Sequence, residues 1–108
     1  MAVTSLELSR IAATAADDKK ATDIILIDLT EASDVCDYFL IATANNRPQL
    51  DAVVEGKARS SWVLLDYGTL VCHIFLPETR DFYRLERLWG DAPRVKLGLE
   101  GEAPSEAE

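Results

Sequence analysis

The 108-residue sequence is poor in the side chains that most metal centres and catalytic sites use: it has one histidine, His73, and two cysteines, Cys36 and Cys72. This set does not make a zinc site. His73 is the only imidazole available as a base, and strand alternation places Cys72 on the opposite face, so the sequence offers no obvious nucleophile–base pair. Four aspartates could in principle gather around magnesium: Asp28, Asp34, Asp37 and Asp66. Acids at strand ends are, however, usually solvated or capping, which favours no metal site.

Glycine is also scarce, and none of the five glycines belongs to a GxxxxGK[ST] or GxGxxG phosphate loop. No apolar run approaches the ~18–20 residues that cross a bilayer. The N-terminal MAVTSLELSR lacks the basic start and long apolar stretch of a signal peptide. We therefore expect a cytoplasmic globular domain, with no membrane contact, whose cysteines are free buried thiols rather than a disulfide.

Basic residues are fewer than acidic ones: the sequence has 11 basic and 19 acidic residues, and its net charge is −8. An acidic protein repels phosphate backbones, which argues against nucleic acid as the main contact. Its field favours basic partners, including basic proteins. Residues 94–108 are acidic and rich in Glu, Gly, Ala and Pro, and this composition predicts a disordered tail.

Hydrophobic runs and turn residues predict strands broken by helices. The short connection at Gly68 and Thr69 between two apolar runs predicts an antiparallel hairpin. The fold class is therefore α/β, in an α+β-like form, with a mixed sheet flanked by helices. The predicted helices cover residues 4–20, 48–56 and 77–89, and the predicted strands cover residues 23–29, 37–43, 62–67 and 70–76.

Residues 61–90 concentrate the distinctive chemistry of the chain, including both tryptophans and the only histidine. Alternation puts Trp62, Leu64 and Asp66 on one face of their strand, and His73 on the same face as Phe75. Trp62 suits either core packing or a partner contact. His73 suits either a partly buried residue that is hydrogen-bonded to a neighbour or a partner contact.

The predicted helix over 77–89 carries two patterned faces. The first is an apolar stripe that favours core packing: Phe82, Leu85, Leu88 and Trp89. The second is a set of arginines that favours a solvated face with weak ion pairs: Arg80, Arg84 and Arg87.

Taken together, these segments resemble the Iojap-like ribosomal silencing factor family, called RsfS in bacteria. The resemblance covers nearly the whole chain, from Leu6 to Pro93, and depends on the order and spacing of several motifs. These are DYFLIAT at 37–43, the loop NNRPQ at 45–49, WVLLDYG at 62–68, VCHIF at 71–75 and RDFYRLERLWGDAP at 80–93.

The resemblance implies a domain similar to the nucleotidyltransferase fold, without catalytic residues, enzymatic activity, metal or cofactor. Family members bind ribosomal protein fourteen of the large subunit, sterically block joining of the small subunit and so repress translation. They are commonly homodimers when free. Carried over to this chain, the resemblance predicts a partner-binding set: Trp62, Asp66, Tyr67, His73, Arg80, Tyr83, Glu86 and Trp89.

One departure from the family pattern lies in the middle of the chain. The family continues the helix that begins at Pro48 and adds a loop and a strand, whereas only residues 53–61 bridge that distance here. We therefore predict a single domain over residues 1–93 that is internally shortened around 53–61. The shortening affects the second helix, one strand and the dimer surface.

Two other functions stay open at this point. A nucleotidyltransferase-like enzyme would use a Gly-Ser turn followed by two carboxylates one residue apart on a strand. The sequence has no Gly-Ser and no such pair on a predicted strand. A generic dimeric adaptor would keep the fold after losing ribosome binding, which the shortened middle makes more plausible.

Overall fold

The computed structural model describes residues 4–32, 34, 36–54, 61–90 and 92–103. These residues form a five-stranded sheet in the order β3-β4-β2-β1-β5. The central pair β2–β4 is parallel and the other pairs are antiparallel, so the predicted mixed sheet is confirmed. The strands are β1 Thr22–Asp28, β2 Tyr38–Thr43, β3 Trp62–Asp66, β4 Leu70–Phe75 and β5 Arg94–Val95.

Two helices, α1 Ser5–Asp18 and α2 Arg47–Val54, pack on one face of the sheet. Thr4 and Glu7 start α1 with a reciprocal capping box, in which each side chain accepts a hydrogen bond from the other residue's main-chain N–H. The buried side of α1 is lined by small residues, which allows the helix to approach the sheet closely. Among the described residues, no helix has both the length and the apolar content to span a membrane.

The opposite face of the sheet is covered by α3 Pro77–Tyr83 and by the 3₁₀ helix Leu85–Trp89. The core is therefore split into two layers by the sheet. Cys72 lies in the α1–α2 layer and Cys36 in the other, both as buried free thiols, which confirms that prediction. Burial raises the pKa of Cys72 to about 12.

The predicted hairpin is confirmed, with Leu64 opposite His73 in the β3–β4 register. Gly68 occupies its turn with φ of +86°, a conformation that glycine adopts without strain. The Asp66 carboxylate accepts a hydrogen bond from the Gly68 N–H at 2.8 Å, which closes the turn from the strand side.

The prediction of one continuous helix over 77–89 is wrong. Arg84 adopts a left-handed conformation, with φ of 48° and ψ of 51°, which ends α3 and redirects the chain into the 3₁₀ helix. Because the helical period does not continue through this bend, the predicted apolar stripe is wrong as well. Phe82 is 80% exposed and Leu88 is 73% exposed, while Leu85 is buried. The predicted solvated face also fails at Arg80, which is buried.

The predicted disorder of the tail does not match residues 94–103. β5 pairs with β1, with Val95 opposite Leu26. Farther along, the Ile24 N–H donates to the Gly101 carbonyl at 2.9 Å, and the Ala103 N–H donates to the Ile24 carbonyl at 3.0 Å. Composition is a poor guide here because main-chain bonds to an existing strand edge do not require apolar side chains. Residues 55–60, where the predicted shortening and the helix stop at Gly56 fall, and residues 104–108 lie outside the described residues.

Candidate protein-binding surface

Trp62 is held in a fixed orientation at the start of β3. Its indole Nε1–H donates to Nδ1 of His73 at 3.1 Å. The indole also stacks on Phe75, with ring centroids 4.9 Å apart, and contacts the ring of Tyr83 at 4.9 Å. The side chain is half-buried, so one part of the ring packs in the core while the remainder reaches the surface. The interpretation of Trp62 as a core-packing residue is therefore confirmed for part of its ring, and a contact with a partner stays a prediction.

His73 lies beneath Trp62 and is only 4% exposed. Burial lowers the pKa of His73 to about 4, because the charged imidazolium is poorly solvated there. The ring is therefore neutral at pH 7. Since Nδ1 accepts from Trp62, the proton of the neutral ring lies on Nε2. The interpretation of His73 as a strand residue hydrogen-bonded to a neighbour is confirmed, and a contact with a partner stays a prediction.

Arg80 connects α3 to the sheet from inside the protein. Its Nη1 donates to the Asp23 carbonyl at 2.6 Å and to Thr43 Oγ1 at 2.7 Å. Its Nε lies 3.6 Å from a carboxylate oxygen of Glu86, at the start of the 3₁₀ helix. Burial lowers the pKa of Arg80, while the adjacent Glu86 carboxylate acts in the opposite direction. The guanidinium thus links three parts of the fold: α3, the β1–β2 end of the sheet and the 3₁₀ helix.

Trp89, at the end of the 3₁₀ helix, is half-buried and meets Phe39 edge-on with ring centroids 5.9 Å apart. Phe39 in turn lies 4.6 Å from the ring of His73. The two tryptophans therefore flank the same layer of aromatic rings between the sheet and the 3₁₀ helix. This aromatic layer lies beneath the exposed side chains of β3 and α3.

Exposed apolar side chains lie next to this aromatic layer. Leu64 is 53% exposed, and it shares a strand face with Trp62. Tyr83 is 53% exposed and contacts both Trp62 and Phe82. We call this contiguous area the β3–α3 surface, defined as Trp62, Leu64, Asp66, Phe82 and Tyr83. An exposed apolar patch that includes aromatic side chains is typical of protein-binding surfaces.

The eight residues predicted to bind a partner fall into three groups by exposure. Asp66, Tyr67 and Tyr83 are exposed. Trp62, Glu86 and Trp89 are half-buried, and His73 and Arg80 are buried. Sequence reasoning missed Leu64 and Phe82 as candidates. The strand alternation that grouped Leu64 with Trp62 and Asp66 contained the signal for Leu64, whereas Phe82 was assigned to the core by the false helical stripe.

Within the part of the chain that the structure describes, no three histidine, cysteine, aspartate or glutamate side chains come together in a way that could hold a metal ion.

The fold and this surface define a small mixed-sheet domain with an exposed aromatic patch suited to binding another macromolecule. A family model described as "Ribosomal silencing factor during starvation" matches residues 2–56 and 52–108. The ribosomal silencing factor RsfS of Bacillus subtilis is 40% identical over an alignment that takes in 82% of this chain and 89% of the relative. This chain therefore belongs to the RsfS family.

Other relatives extend the similarity to organelles. The chloroplastic protein Iojap of Arabidopsis thaliana is 36% identical over 92% of this chain and 47% of its own length. Among solved structures, a Chromobacterium violaceum protein is similar with a TM-score of 0.76 and 29% identity, covering 98% of this chain and 94% of that one. A Bacillus halodurans protein has a TM-score of 0.72 and 33% identity, with coverage of 86% and 100%.

The alignments indicate a gap within this chain. The alignment with the Bacillus subtilis relative runs over 105 positions but takes in 82% of the 108 residues, about 89 residues, so about 16 positions face no residue here. The two ranges that match the family model, residues 2–56 and 52–108, overlap at residues 52–56. Both observations support an internal shortening near the end of α2.

Proposed function

We propose that this protein is a non-enzymatic ribosomal silencing factor that binds the large ribosomal subunit and sterically blocks joining of the small subunit, which represses translation. Its contact is ribosomal protein fourteen of the large subunit, and the free protein is a cytoplasmic homodimer. The observation that carries the proposal is the 40% identity to a protein named as a ribosomal silencing factor, over most of both chains. A mouse relative named for mitochondrial assembly of the large ribosomal subunit is 32% identical over 66% of this chain.

The geometry of the β3–α3 surface supports a binding role. Trp62 and Tyr83 supply large apolar area, and the hydrogen bond to His73 orients Trp62 before any partner arrives. Pre-oriented aromatic side chains lose little conformational entropy on binding, which is one reason that they dominate binding energy at interfaces. Leu64 and Phe82 enlarge the apolar area that a partner would cover.

The charge around the surface supports a basic partner. Asp66 belongs to the surface, Glu78 and Asp81 are exposed on α3, and the whole chain carries a net charge of −8. Acidic side chains around an apolar centre favour a partner with lysine and arginine at its periphery. His73 and Arg80, by contrast, are proposed to shape the surface from below, since both side chains are buried.

Co-sedimentation with isolated large subunits tests this function. The parent protein is expected to pellet with large subunits and to reduce their joining with small subunits in a sucrose gradient. Tyr83→Ala removes an exposed ring of the surface and is expected to weaken binding by roughly tenfold or more, as for an aromatic hot spot. Ile11→Ala is the matched control because Ile11 is 60% exposed on α1, across the sheet.

Three outcomes would contradict parts of the proposal. A parent protein that stays in the supernatant would refute ribosome binding. Parent binding that leaves subunit joining unchanged would refute the steric block and favour an adaptor. If Tyr83→Ala and Ile11→Ala both bind like the parent, the β3–α3 surface is not the contact.

A further inference from the structure

A cleft lies between α3, the 3₁₀ helix and the part of the sheet formed by β1, β2 and β5. Its volume of about 1100 Å³ is at the upper end of the range for small-molecule sites. None of the five residues of the β3–α3 surface lines it. We call it the arginine cleft because four of the seven arginines of the chain line it: Arg80, Arg84, Arg87 and Arg94.

The charge of the arginine cleft is opposite in sign to that of the whole chain. Among the described residues that line it, four guanidinium groups accompany three carboxylates, those of Asp23, Asp81 and Glu86. The chain as a whole carries a net charge of −8. A local excess of positive charge in an otherwise acidic protein favours a negatively charged ligand at this place.

Arg80 is held in the cleft by bonds that leave one of its nitrogens unused. Nη1 donates to the Asp23 carbonyl and to Thr43 Oγ1, and Nε lies 3.6 Å from a Glu86 carboxylate oxygen. Within the described part of the chain, Nη2 donates to no residue, and it is not among the fully buried side-chain atoms. Arg80 therefore presents Nη2 to the cleft from a guanidinium whose orientation is already fixed, which reduces the entropy lost on binding.

Arg84 and Arg87 are exposed and only weakly engaged. Arg84 Nη2 lies 3.6 Å from a carboxylate oxygen of Asp81, and at least about half of each side chain is exposed, so this ion pair contributes little. Arg87 forms no ion pair with any residue that the structure describes. Both guanidinium groups can therefore turn toward a ligand at little cost.

Two residues that line the cleft have a strained main chain. Asp23 and Arg84 have φ of 50° and 48°, in the left-handed region that is costly for most residues other than glycine. Asp23 lies at an irregularity of the β1–β2 register, between Thr22 and Ile25, and its carbonyl accepts the hydrogen bond from Arg80. Strand irregularities and left-handed residues are concentrated at functional sites. The backbone therefore supports a binding role for this cleft.

We propose that the arginine cleft binds an oligophosphate anion, such as inorganic triphosphate, through Arg80, Arg84 and Arg87. Guanidinium groups match phosphoryl oxygens with paired hydrogen bonds. Several linked phosphoryl groups engage several arginines at once, and this attraction offsets the repulsion from the acidic chain better than a single charge does. Among the described lining residues there is no aromatic ring on which a base could stack, so the phosphate chain is the part that the cleft recognises.

Calorimetric titration with inorganic triphosphate, without divalent metal ions that would complex it, tests the site. At low ionic strength we expect one equivalent to bind to each chain, with an affinity that falls as salt is added. The double variant Arg84→Gln, Arg87→Gln is expected to raise the dissociation constant roughly tenfold or more, since it removes charge-assisted hydrogen bonds. Arg10→Gln, Lys19→Gln is the matched control, because it removes the same charge from exposed positions on and next to α1.

The results of this titration either support or overturn the site. No binding of triphosphate to the parent up to about 1 mM would overturn it. Equal weakening in the two double variants would show that only the overall charge matters, and it would overturn the cleft as the location. Circular dichroism of each variant verifies that the fold is kept.

Two further anions test the chemistry of the ligand. Citrate carries several carboxylates and is expected to bind at least roughly tenfold more weakly than triphosphate, because its carboxylates do not form a linked phosphate chain. ATP is expected to bind no more tightly than triphosphate, because the described lining offers its base no ring to stack on. Citrate that binds as tightly as triphosphate, or ATP that binds more tightly, would contradict the oligophosphate assignment.

Amide NMR shifts locate the bound anion. Triphosphate is expected to shift the N–H signals of Arg84, Arg87 and Gly90, and to leave the signals of α1 unchanged. Shifts confined to α1 or to the β3–β4 hairpin would overturn the location. The inference is independent of the proposed function, since co-sedimentation with large subunits tests a surface that shares no residue with the lining of the cleft.

Discussion

At the scale of single residues, the Trp62–His73 hydrogen bond connects the core to the surface. His73 is buried and neutral, and its Nδ1 accepts the indole N–H of Trp62. Protonation of His73 would remove that acceptor and place a charge among the rings of Phe39 and Phe75. The orientation of Trp62 is therefore coupled to the neutral state of one imidazole.

We expect the free energy of unfolding to decrease as the pH is lowered, because of His73. Burial lowers its pKa from 6.5 to about 4, so the unfolded chain binds the proton at a pH where the folded protein does not. Its effect is absent above pH 6.5, grows as the pH falls, and reaches its full size near pH 4. Because each pKa unit corresponds to about 1.36 kcal/mol, the free energy of unfolding decreases by up to ~3 kcal/mol. Urea unfolding across this range measures it.

His73→Gln is the comparison for this prediction, because glutamine does not titrate. Carboxylates also titrate near pH 4, so the difference between the two pH profiles is the informative quantity. The single imidazole also gives one histidine NMR signal in the folded protein, whose pKa can be read directly. A folded-state pKa near 6.5, or equal pH profiles for the two proteins, would contradict the coupling.

At the scale of elements, residues 94–103 extend the sheet beyond what composition suggests. Gly101 is held by two hydrogen bonds: its carbonyl accepts from the Ile24 N–H, and its own N–H donates to Asp17 at 2.8 Å. A Cβ atom added there would clash with the Ala21 carbonyl oxygen. Contacts below 3 Å do not occur at real Cβ atoms, so any larger residue must displace the segment from β1.

Gly101→Ala is therefore expected to release residues 101–103 from β1. We expect a loss of ~1–3 kcal/mol of stability, as for overpacking in a well-packed core, and faster hydrogen exchange at the Ile24 N–H. Gly90→Ala is the control, since its nearest contact would be an ordinary 3.6 Å. Unchanged exchange at Ile24 in Gly101→Ala would show that the segment is held without this contact.

At the scale of the whole molecule, the net charge of −8 determines how the protein meets a partner. If the contact is a basic ribosomal protein, attraction speeds association and salt screens it. If ribosomal RNA dominated the encounter, the acidic protein would be repelled, and salt would instead favour binding. The sign of the salt dependence therefore distinguishes the two kinds of contact.

We expect association with large subunits to slow several-fold when monovalent salt rises from about 0.05 M to about 0.3 M at constant Mg²⁺. Biolayer interferometry on immobilised large subunits measures the association rate. Asp66→Asn lowers the negative charge at the β3–α3 surface and is expected to reduce this dependence, whereas Asp18→Asn on α1 is the matched control. An association rate that rises with salt would contradict a basic contact.

The sequence by itself determined the local features, which depend on nearest neighbours along the chain. The strands β1 to β4, the turn at Gly68, and the alternation that groups Trp62 with Leu64 and His73 with Phe75 all follow from short-range patterns. Family membership was also predicted from ordered motifs and is confirmed. These predictions succeeded because apolar alternation and turn chemistry act over a few residues.

Only the tertiary structure decided which side chains are exposed after α3. α3 ends at the left-handed Arg84, and Phe82 before this turn is exposed while Leu85 after it is buried. The buried hydrogen bonds of Arg80 to Asp23 and Thr43 join residues far apart in sequence. A periodic pattern does not show where a helix ends. Composition does not show that a tail segment will pair with an open strand edge, as β5 pairs with β1. The secondary structure elements could therefore be predicted from the sequence, whereas the β3–α3 surface depended on contacts between elements.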